Sequence, residues 1–129
     1  MERINVSTGA KWEDIVGYSR AVRIGNVVEV TGTVAVDNSG EIIGKGDPYL
    51  QTKFIIFKVE NVLNQVGAKL TDVVRTRIFT TDISRWEEIG KAHGEFFNDI
   101  KPCCTMVEVS GLIDKQYLVE IEFTAVIKE

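Results

Sequence analysis

The sequence predicts an α+β domain in which two amphipathic helices cover one face of a mixed sheet of about six strands. Segments with β-rich composition and segments with helical apolar spacing follow one another roughly in the order βββαβαββ. The last strand alternates apolar and polar side chains, so one of its faces suits burial beneath the helices. A chain of 129 residues also has the size of one domain, here residues 1–129.

The first predicted strands form a hairpin. Residues 19–24 and 27–36 are rich in β-branched side chains, and Gly25 and Asn26 separate them as a two-residue turn candidate. Another turn is predicted at residues 38–40, where Asn, Ser and Gly follow one another.

The first long helix has clear start and stop signals. Asp47 supplies an N-cap acceptor, Pro48 fits the first helical position, and Gly67 is a natural terminator. Between them one apolar stripe recurs at helical spacing. It consists of Ile55, Ile56, Val59, Val62, Leu63 and Val66.

A third strand region is predicted at residues 73–81, and a second helix follows it. Residues 84–87, Ser-Arg-Trp-Glu, fit a capping box. The helix is expected to bury Trp86, Ile89, Phe96 and, in one interpretation, His93. Two strands that begin near Cys104 and Tyr117 close the chain. Parallel pairing with right-handed connections is expected across the helices.

The face of the sheet away from the helices is predicted to be mixed in character. On the last strand it carries Leu118, Glu120, Glu122, Thr124 and Val126. On the second strand the matching residues are Val27, Glu29, Thr31, Thr33 and Ala35. Such a face suits an interface between subunits with pockets at its edges. It also suits an open sheet with one face in water, and the residues alone leave both interpretations open.

Charge and composition exclude several classes of function. The formal net charge of −4 argues against a nucleic-acid partner bound through its phosphates. No apolar run has the length of a membrane span, and the N-terminus lacks the apolar core of a signal peptide. We therefore expect a cytoplasmic protein without a membrane partner. Cys103 and Cys104 are adjacent and His93 is the only histidine, so neither a disulfide nor a metal site is expected.

The end of the chain resembles the Rid family of reactive-intermediate imine and enamine deaminases, also called YjgF/YER057c/UK114 and formerly L-PSP endoribonucleases. That family typically ends in Pro-x-Arg-x-x-Val-Glu-Val, followed by a strand that ends in Glu-x-Glu-Ala. The matching residues are Pro102, Val107, Glu108, Val109, Glu120 and Glu122. The resemblance implies a chorismate-mutase-like fold, assembled as a homotrimer with clefts between subunits.

The resemblance also implies a set of cleft residues. Tyr18, Thr31 and Glu120 match the catalytic positions, and Gly32 lies beside them. The family's arginine, which binds the carboxylate of an imino acid, is replaced by Cys104. A thiol cannot make the planar, bidentate contact that a guanidinium makes with a carboxylate. The chain therefore resembles a divergent subgroup that lacks the arginine.

Four further residues are candidates for contact with a ligand. Gly90 stands where the family has a helical asparagine, and Met106 follows Cys104 on the same strand. Arg20 shares a strand face with Tyr18 and would replace the missing guanidinium, or would form a surface ion pair. His93 would act as a base or would be a partly buried, hydrogen-bonded histidine. For Cys104 no partner that would lower the thiol pKa is identifiable, so a buried structural thiol is expected.

The sequence favours hydrolysis of a small reactive imine or enamine metabolite, with an unusual substrate because of Cys104. Glu120 would position water or move a proton, helped by the raised pKa of a desolvated carboxylate; the alternative is a strand glutamate with no chemical role. A non-catalytic small-molecule-binding or regulatory protein is the alternative function. The net negative charge of the chain disfavours an endoribonuclease, which would have to bind RNA. No cofactor is expected.

Overall fold

A computed structural model describes residues 1–128. The strands are β1 Arg3–Val6, β2 Ala21–Ile24, β3 Val27–Thr33, β4 Val73–Thr80, β5 Cys103–Glu108 and β6 Val119–Val126. The helices are α1 Lys11–Val16, α2 Pro48–Gln65 and α3 Trp86–Phe97, with short 3₁₀ turns at Leu70–Asp72 and Ile83–Arg85. None of the helices within residues 1–128 combines the length and apolar character that crossing a membrane requires.

The strands form one mixed six-stranded sheet in the order β1-β2-β3-β6-β4-β5. The parallel pairing predicted across a helix is confirmed for β4 and β5, which α3 connects. The strands on either side of α2 are not neighbours, because β6 lies between β3 and β4 and pairs antiparallel with both. The last strand in sequence is therefore central in the sheet.

The core lies between the sheet and the two long helices, as the alternation of apolar and polar side chains in the last strand predicted. On β6 the fully buried residues are those of the expected face, Val119, Ile121, Phe123 and Ala125. The predicted stripe of α2 is also buried, from Ile55 to Leu63 and on to Val66 just beyond the helix. Asp47 caps α2 by accepting a hydrogen bond from the Leu50 amide at 3.1 Å. Gly67 follows the helix with φ 82°, a left-handed conformation that favours glycine.

Two predictions about α3 are wrong. The N-cap position of α3 is Arg85, with no side-chain capping hydrogen bond, so Ser84 does not begin a capping box. Asp82 instead caps the preceding 3₁₀ turn, where its carboxylate accepts from the Ser84 amide at 3.0 Å. Trp86 is 55% exposed, because the preceding 3₁₀ turn makes it the first residue of the helix, at the edge of the packed surface. Ile89 is buried as expected, together with Ala92 and Phe97, and Phe96 packs at the margin of the core.

A β-bulge overturns part of the predicted face of β3. Val30 pairs with Phe123, but the next pair in register is Thr33 with Ile121, so three steps on β3 match two on β6. The side-chain alternation is thereby inverted after Thr31 and Gly32. Thr33 and the following Ala35 are fully buried rather than lying on the mixed face.

The N-terminal segment contains two elements that the sequence did not reveal. Strand β1 pairs antiparallel with β2 and forms an edge of the sheet. Helix α1 has only six residues, and its one buried side chain is the charged Glu13. Neither element has an apolar period long enough to be recognised.

Gln51 connects α2 to the start of β6. Its side chain is fully buried; Nε2 donates to the Gln116 carbonyl at 2.9 Å, and Oε1 accepts from the Leu118 amide at 2.9 Å. The two backbone groups therefore depend on one amide side chain for hydrogen bonding.

We expect Gln51→Leu to lower the free energy of unfolding by about 1–3 kcal/mol or more, because the Gln116 carbonyl and Leu118 amide lose their partner. Denaturant unfolding measures this directly. Gln65→Leu is the matched control, since Gln65 lies on the same helix but is exposed. Equal effects of the two changes would contradict the role assigned to Gln51.

Candidate functional site

Glu120 lies on the sheet face opposite the helices, packed over the β-bulge. It pairs with Phe79 of β4, while its neighbour Ile121 points into the core. A β-carbon built on Gly32 would overlap the Oε2 atom of Glu120 and lie 2.9 Å from its carboxyl carbon. The absence of a side chain at Gly32 therefore creates the space that the Glu120 carboxylate occupies.

The environment of Glu120 favours its neutral form. Burial is the main cause that raises the pKa of this carboxyl above its ordinary value of 4.5, and the charge of Glu122 raises it further. The positive charge of Arg20 opposes the shift. A carboxyl with a raised pKa can accept and return a proton closer to neutral pH than an exposed glutamate.

Arg20 binds the bulge and the predicted tyrosine together. One guanidinium nitrogen donates to the Gly32 carbonyl at 3.0 Å and to the Thr33 hydroxyl at 3.4 Å. The other terminal nitrogen donates to the Tyr18 hydroxyl at 3.4 Å. The guanidinium thus connects Tyr18 with the segment that supports Glu120. Arg20 is only 6% exposed, so it is not the surface ion pair that was the alternative.

Glu13 is the counter-ion of Arg20 and was not identified from the sequence. Its Oε2 lies 3.5 Å from Nε of Arg20, and the residue is 4% exposed. Burial alone raises the pKa of Glu13, but hydrogen bonds from Thr8 and Ser7 outweigh it, and the pKa lies below 4.5. Glu13 is therefore held as a buried anion that connects α1 to Arg20.

The remaining candidates lie on the other side of the sheet. Cys104 pairs with Thr76 and Met106 with Ile78, and both partners face the helices. His93 Nε2 is 2.9 Å from the Thr76 hydroxyl, its ring packs 4.7 Å from that of Phe97, and burial lowers its pKa. The interpretation of His93 as a partly buried, hydrogen-bonded histidine is confirmed.

The expected burial of Cys104 is wrong for the single chain. Both Cys104 and Cys103 are exposed, because β5 is an edge strand with a neighbour on one side only. Gly90, on α3, is partly exposed, and a β-carbon there would meet only Trp86, at 3.9 Å. One chain thus presents two separate groups of candidates: Tyr18, Arg20, Thr31, Gly32 and Glu120, and, across the sheet, Gly90, His93, Cys104 and Met106.

Comparison with known proteins identifies the family. The family model described as Endoribonuclease L-PSP matches residues 8–127. A Mycobacterium tuberculosis member of the YjgF/YER057c/UK114 family is 48% identical, with a TM-score of 0.90 over 98% of this chain and all of its own. The chain belongs to the Rid family.

Two curated Rid relatives extend the comparison. A RutC family protein of Pyrococcus abyssi is 37% identical over 109 residues, 84% of either chain. The 3-aminoacrylate deaminase RutC of Acinetobacter baylyi is 29% identical over 108 residues, 84% of this chain and 85% of that protein. The predicted fold class, a mixed six-stranded sheet with two long helices, is confirmed by the likeness to the family's solved structures.

Sequence reasoning missed Glu13 and Thr33 for different reasons. Glu13 lies in a short polar segment, where a carboxylate is normally in water. Thr33 lies beyond a bulge, and its direction cannot be read from alternation. The nearest available signal was the glycine at position 32, since glycine inside a strand often marks a bulge or a close approach.

We expect Gly32→Ala to displace the Glu120 carboxylate and to destabilise the protein by about 1–3 kcal/mol, the usual cost of overpacking. Gly90→Ala should instead stabilise the protein by about 0.5–1 kcal/mol, because Gly90 lies inside a helix and a β-carbon there would make only an ordinary contact with Trp86, at 3.9 Å. Thermal unfolding of both variants tests the pair. A Gly32→Ala protein as stable as the parent would show that the close contact with Glu120 is not maintained.

Proposed function

We propose that this Rid protein hydrolyses a small reactive imine or enamine to a carbonyl compound and ammonia. The observation that carries the proposal is the half-buried Glu120 carboxylate, with its raised pKa, packed over the bulge at Gly32. The relative named 3-aminoacrylate deaminase supports the reaction class. Shared fold by itself does not establish the chemistry.

In the proposed reaction, Glu120 accepts a proton from a water molecule as its oxygen bonds to the carbon of the C=N group. Glu120 passes that proton to the nitrogen, which gives a tetrahedral carbinolamine. Glu120 then accepts the hydroxyl proton and returns it to the nitrogen as the C–N bond breaks, so that the carbonyl compound forms and ammonia leaves. An enamine enters this sequence after protonation at carbon, and Glu120 can donate that proton in its neutral form. The Tyr18 and Thr31 hydroxyls orient the water and substrate.

We propose further that the cleft forms between the subunits of a homotrimer. The two groups of candidate residues lie on opposite faces of the sheet, so one chain alone does not bring Glu120 near Cys104 or Met106. A neighbouring chain would unite them if its β5 edge approached the Glu120 face. The half-buried mixed face of β6 and the unpaired edge of β5 are suitable contact surfaces.

Light scattering at micromolar concentration should give three times the chain mass of 14.4 kDa. The reason is that burial of the mixed sheet face favours association. A monomer at this concentration would contradict both the assembly and a cleft shared between chains.

We expect Glu120→Gln to reduce ammonia release from an imine substrate by about 10²–10⁴-fold, the usual size of a general acid–base contribution. The fold should not suffer. A carboxyl whose pKa is raised in the folded state costs stability once pH exceeds its unfolded value of 4.5, and Gln removes this cost.

Glu122→Gln is the control for that experiment. Glu122 lies two residues along the same face and is about half exposed, 4.0 Å from Arg77. It should change turnover only a few-fold. If Glu120→Gln instead left turnover nearly intact and lowered the melting temperature, Glu120 would be a structural strand residue.

Cys104 suggests which substrates are disfavoured. Without the family's arginine, simple 2-imino acids should be hydrolysed poorly. Cys104→Arg should raise kcat/KM for such a substrate by about tenfold or more, since a desolvated charge pair is worth about 2–5 kcal/mol. Cys103→Arg is the control, because Cys103 is exposed on the same strand but faces the other way. Strong native turnover of 2-imino acids would show that another cation binds the carboxylate, such as Arg20.

The second candidate function is a small-molecule-binding or regulatory protein. The exposed Cys104, in place of a charged residue, is the observation that favours it. In that case no imine or enamine would be turned over, while a metabolite would raise the melting temperature through binding to the folded state.

A further inference from the structure

A cavity of about 630 Å³ adjoins the Glu120 site. Tyr18, Arg20 and Gly32 are among its lining residues, and Gly32 is the residue through which it adjoins Glu120. From there it extends between α1 and the segment that follows β3. Half-buried apolar side chains, Val34, Val36 and Ile42, line that part. The volume is in the range of small-molecule sites.

Lys58 places an ammonium group at this cavity. It projects from α2, and its Nζ donates to the Val36 carbonyl at 2.9 Å. Within residues 1–128 it takes part in none of the salt bridges. An ammonium group has three donors, so two are available to a ligand. Burial and then the charge of Arg20 lower the pKa of Lys58, and the negative charges of Glu13 and Asp37 oppose this shift without reversing it.

The other charged groups around the cavity are already engaged. Arg20 donates to Gly32, Thr33 and Tyr18 and pairs with Glu13. The Asp37 carboxylate accepts three hydrogen bonds from its own turn, two from Ser39 and one from the Glu41 amide. Asp114 accepts from the Gln116 amide. Lys11, at the start of α1, lies over the Trp12 ring at 4.8 Å.

These charges favour a particular class of ligand. Lys58 and Arg20 together attract an anion, but Asp37 and Asp114 at the same cavity disfavour a dianion such as a phosphate monoester. The apolar wall favours a ligand with a hydrocarbon or aromatic body. A small monocarboxylate satisfies both conditions.

We propose that Lys58 binds the carboxylate of a small organic acid whose apolar part lies against Val34, Val36 and Ile42. This inference rests on the proposed function in one respect. If the protein hydrolyses imines or enamines, the acid bound by Lys58 is its substrate, and that substrate is an imine or enamine that carries a carboxylate. Its carboxylate would then be bound by a lysine on α2, and not at the position of Cys104. The substrate would be longer than a simple 2-imino acid if its reactive carbon is to reach Glu120.

The experiment uses benzoate as the probe and benzamide as its neutral counterpart of the same shape. Calorimetric titration of the full chain should show that benzoate binds and benzamide binds more weakly. Lys58→Met should weaken benzoate binding by about tenfold, because a hydrogen bond to a charged group is lost. The same change should alter the affinity for benzamide by no more than about twofold. Lys58→Arg, which retains the charge, should preserve the preference for benzoate.

Lys53→Met is the matched control. Lys53 lies on the same helix but pairs with Glu95 at 3.7 Å, outside the cavity, so benzoate binding should not change. No preference of the parent protein for benzoate over benzamide would overturn the proposal. The proposal would also be overturned if Lys58→Met weakened the binding of benzoate and benzamide equally. A folded Lys58→Arg protein that no longer prefers benzoate would overturn it as well.

The outcomes separate this proposal from the proposed enzymatic function. Glu120→Gln should still bind benzoate, because Lys58 is unchanged. If benzoate binding depends on Lys58 but no imine or enamine is hydrolysed, only the enzymatic proposal fails. If Glu120-dependent hydrolysis is found but Lys58→Met weakens the binding of benzoate and benzamide equally, only the proposal for Lys58 fails.

Discussion

The β-bulge at Thr31 and Gly32 is the constraint on which the candidate site depends. It inserts an extra residue on β3 opposite β6, so the side chains that follow change faces. Thr33 becomes part of the core, and Gly32 comes to lie directly against Glu120. The same irregularity therefore completes the core on one face and opens a site on the other.

The buried pair of Glu13 and Arg20 holds this irregular backbone. Arg20 donates to the carbonyl of Gly32, which lies where the regular pairing of β3 with β6 is interrupted. Desolvating two charges is expensive, and such pairs add little net stability compared with apolar packing. Removing one partner, however, typically costs about 3–5 kcal/mol, because the other charge remains buried. We interpret the pair as a device that fixes one geometry, and it connects α1 to a site on the sheet.

Positive charge is placed unevenly around the candidate site. Arg20 and Lys58 line the cavity that includes Gly32, whereas Cys104 on the edge strand is exposed. Under the function proposed here, the position of the cation that binds a carboxylate sets the length and shape of the acid that can reach Glu120. This gives a physical reason why related chains with one fold can act on different metabolites.

The sequence by itself determined the fold class, the long helix with its Asp47 cap, and the buried face of β6, because these follow from local periodicity and capping. The family resemblance correctly identified the chain as a Rid protein. Only the tertiary structure decided which way Thr33 points, that Glu13 is buried, and that Trp86 is exposed. Each of these depends on contacts between residues distant in sequence: the register of β3 on β6, an ion pair between α1 and Arg20, and the position of α3 at the edge of the core. Side-chain alternation predicts the two faces of a regular strand, but a single bulge reverses the faces of the residues that follow it. The partner of a buried charge, likewise, cannot be predicted from the residues next to it in sequence.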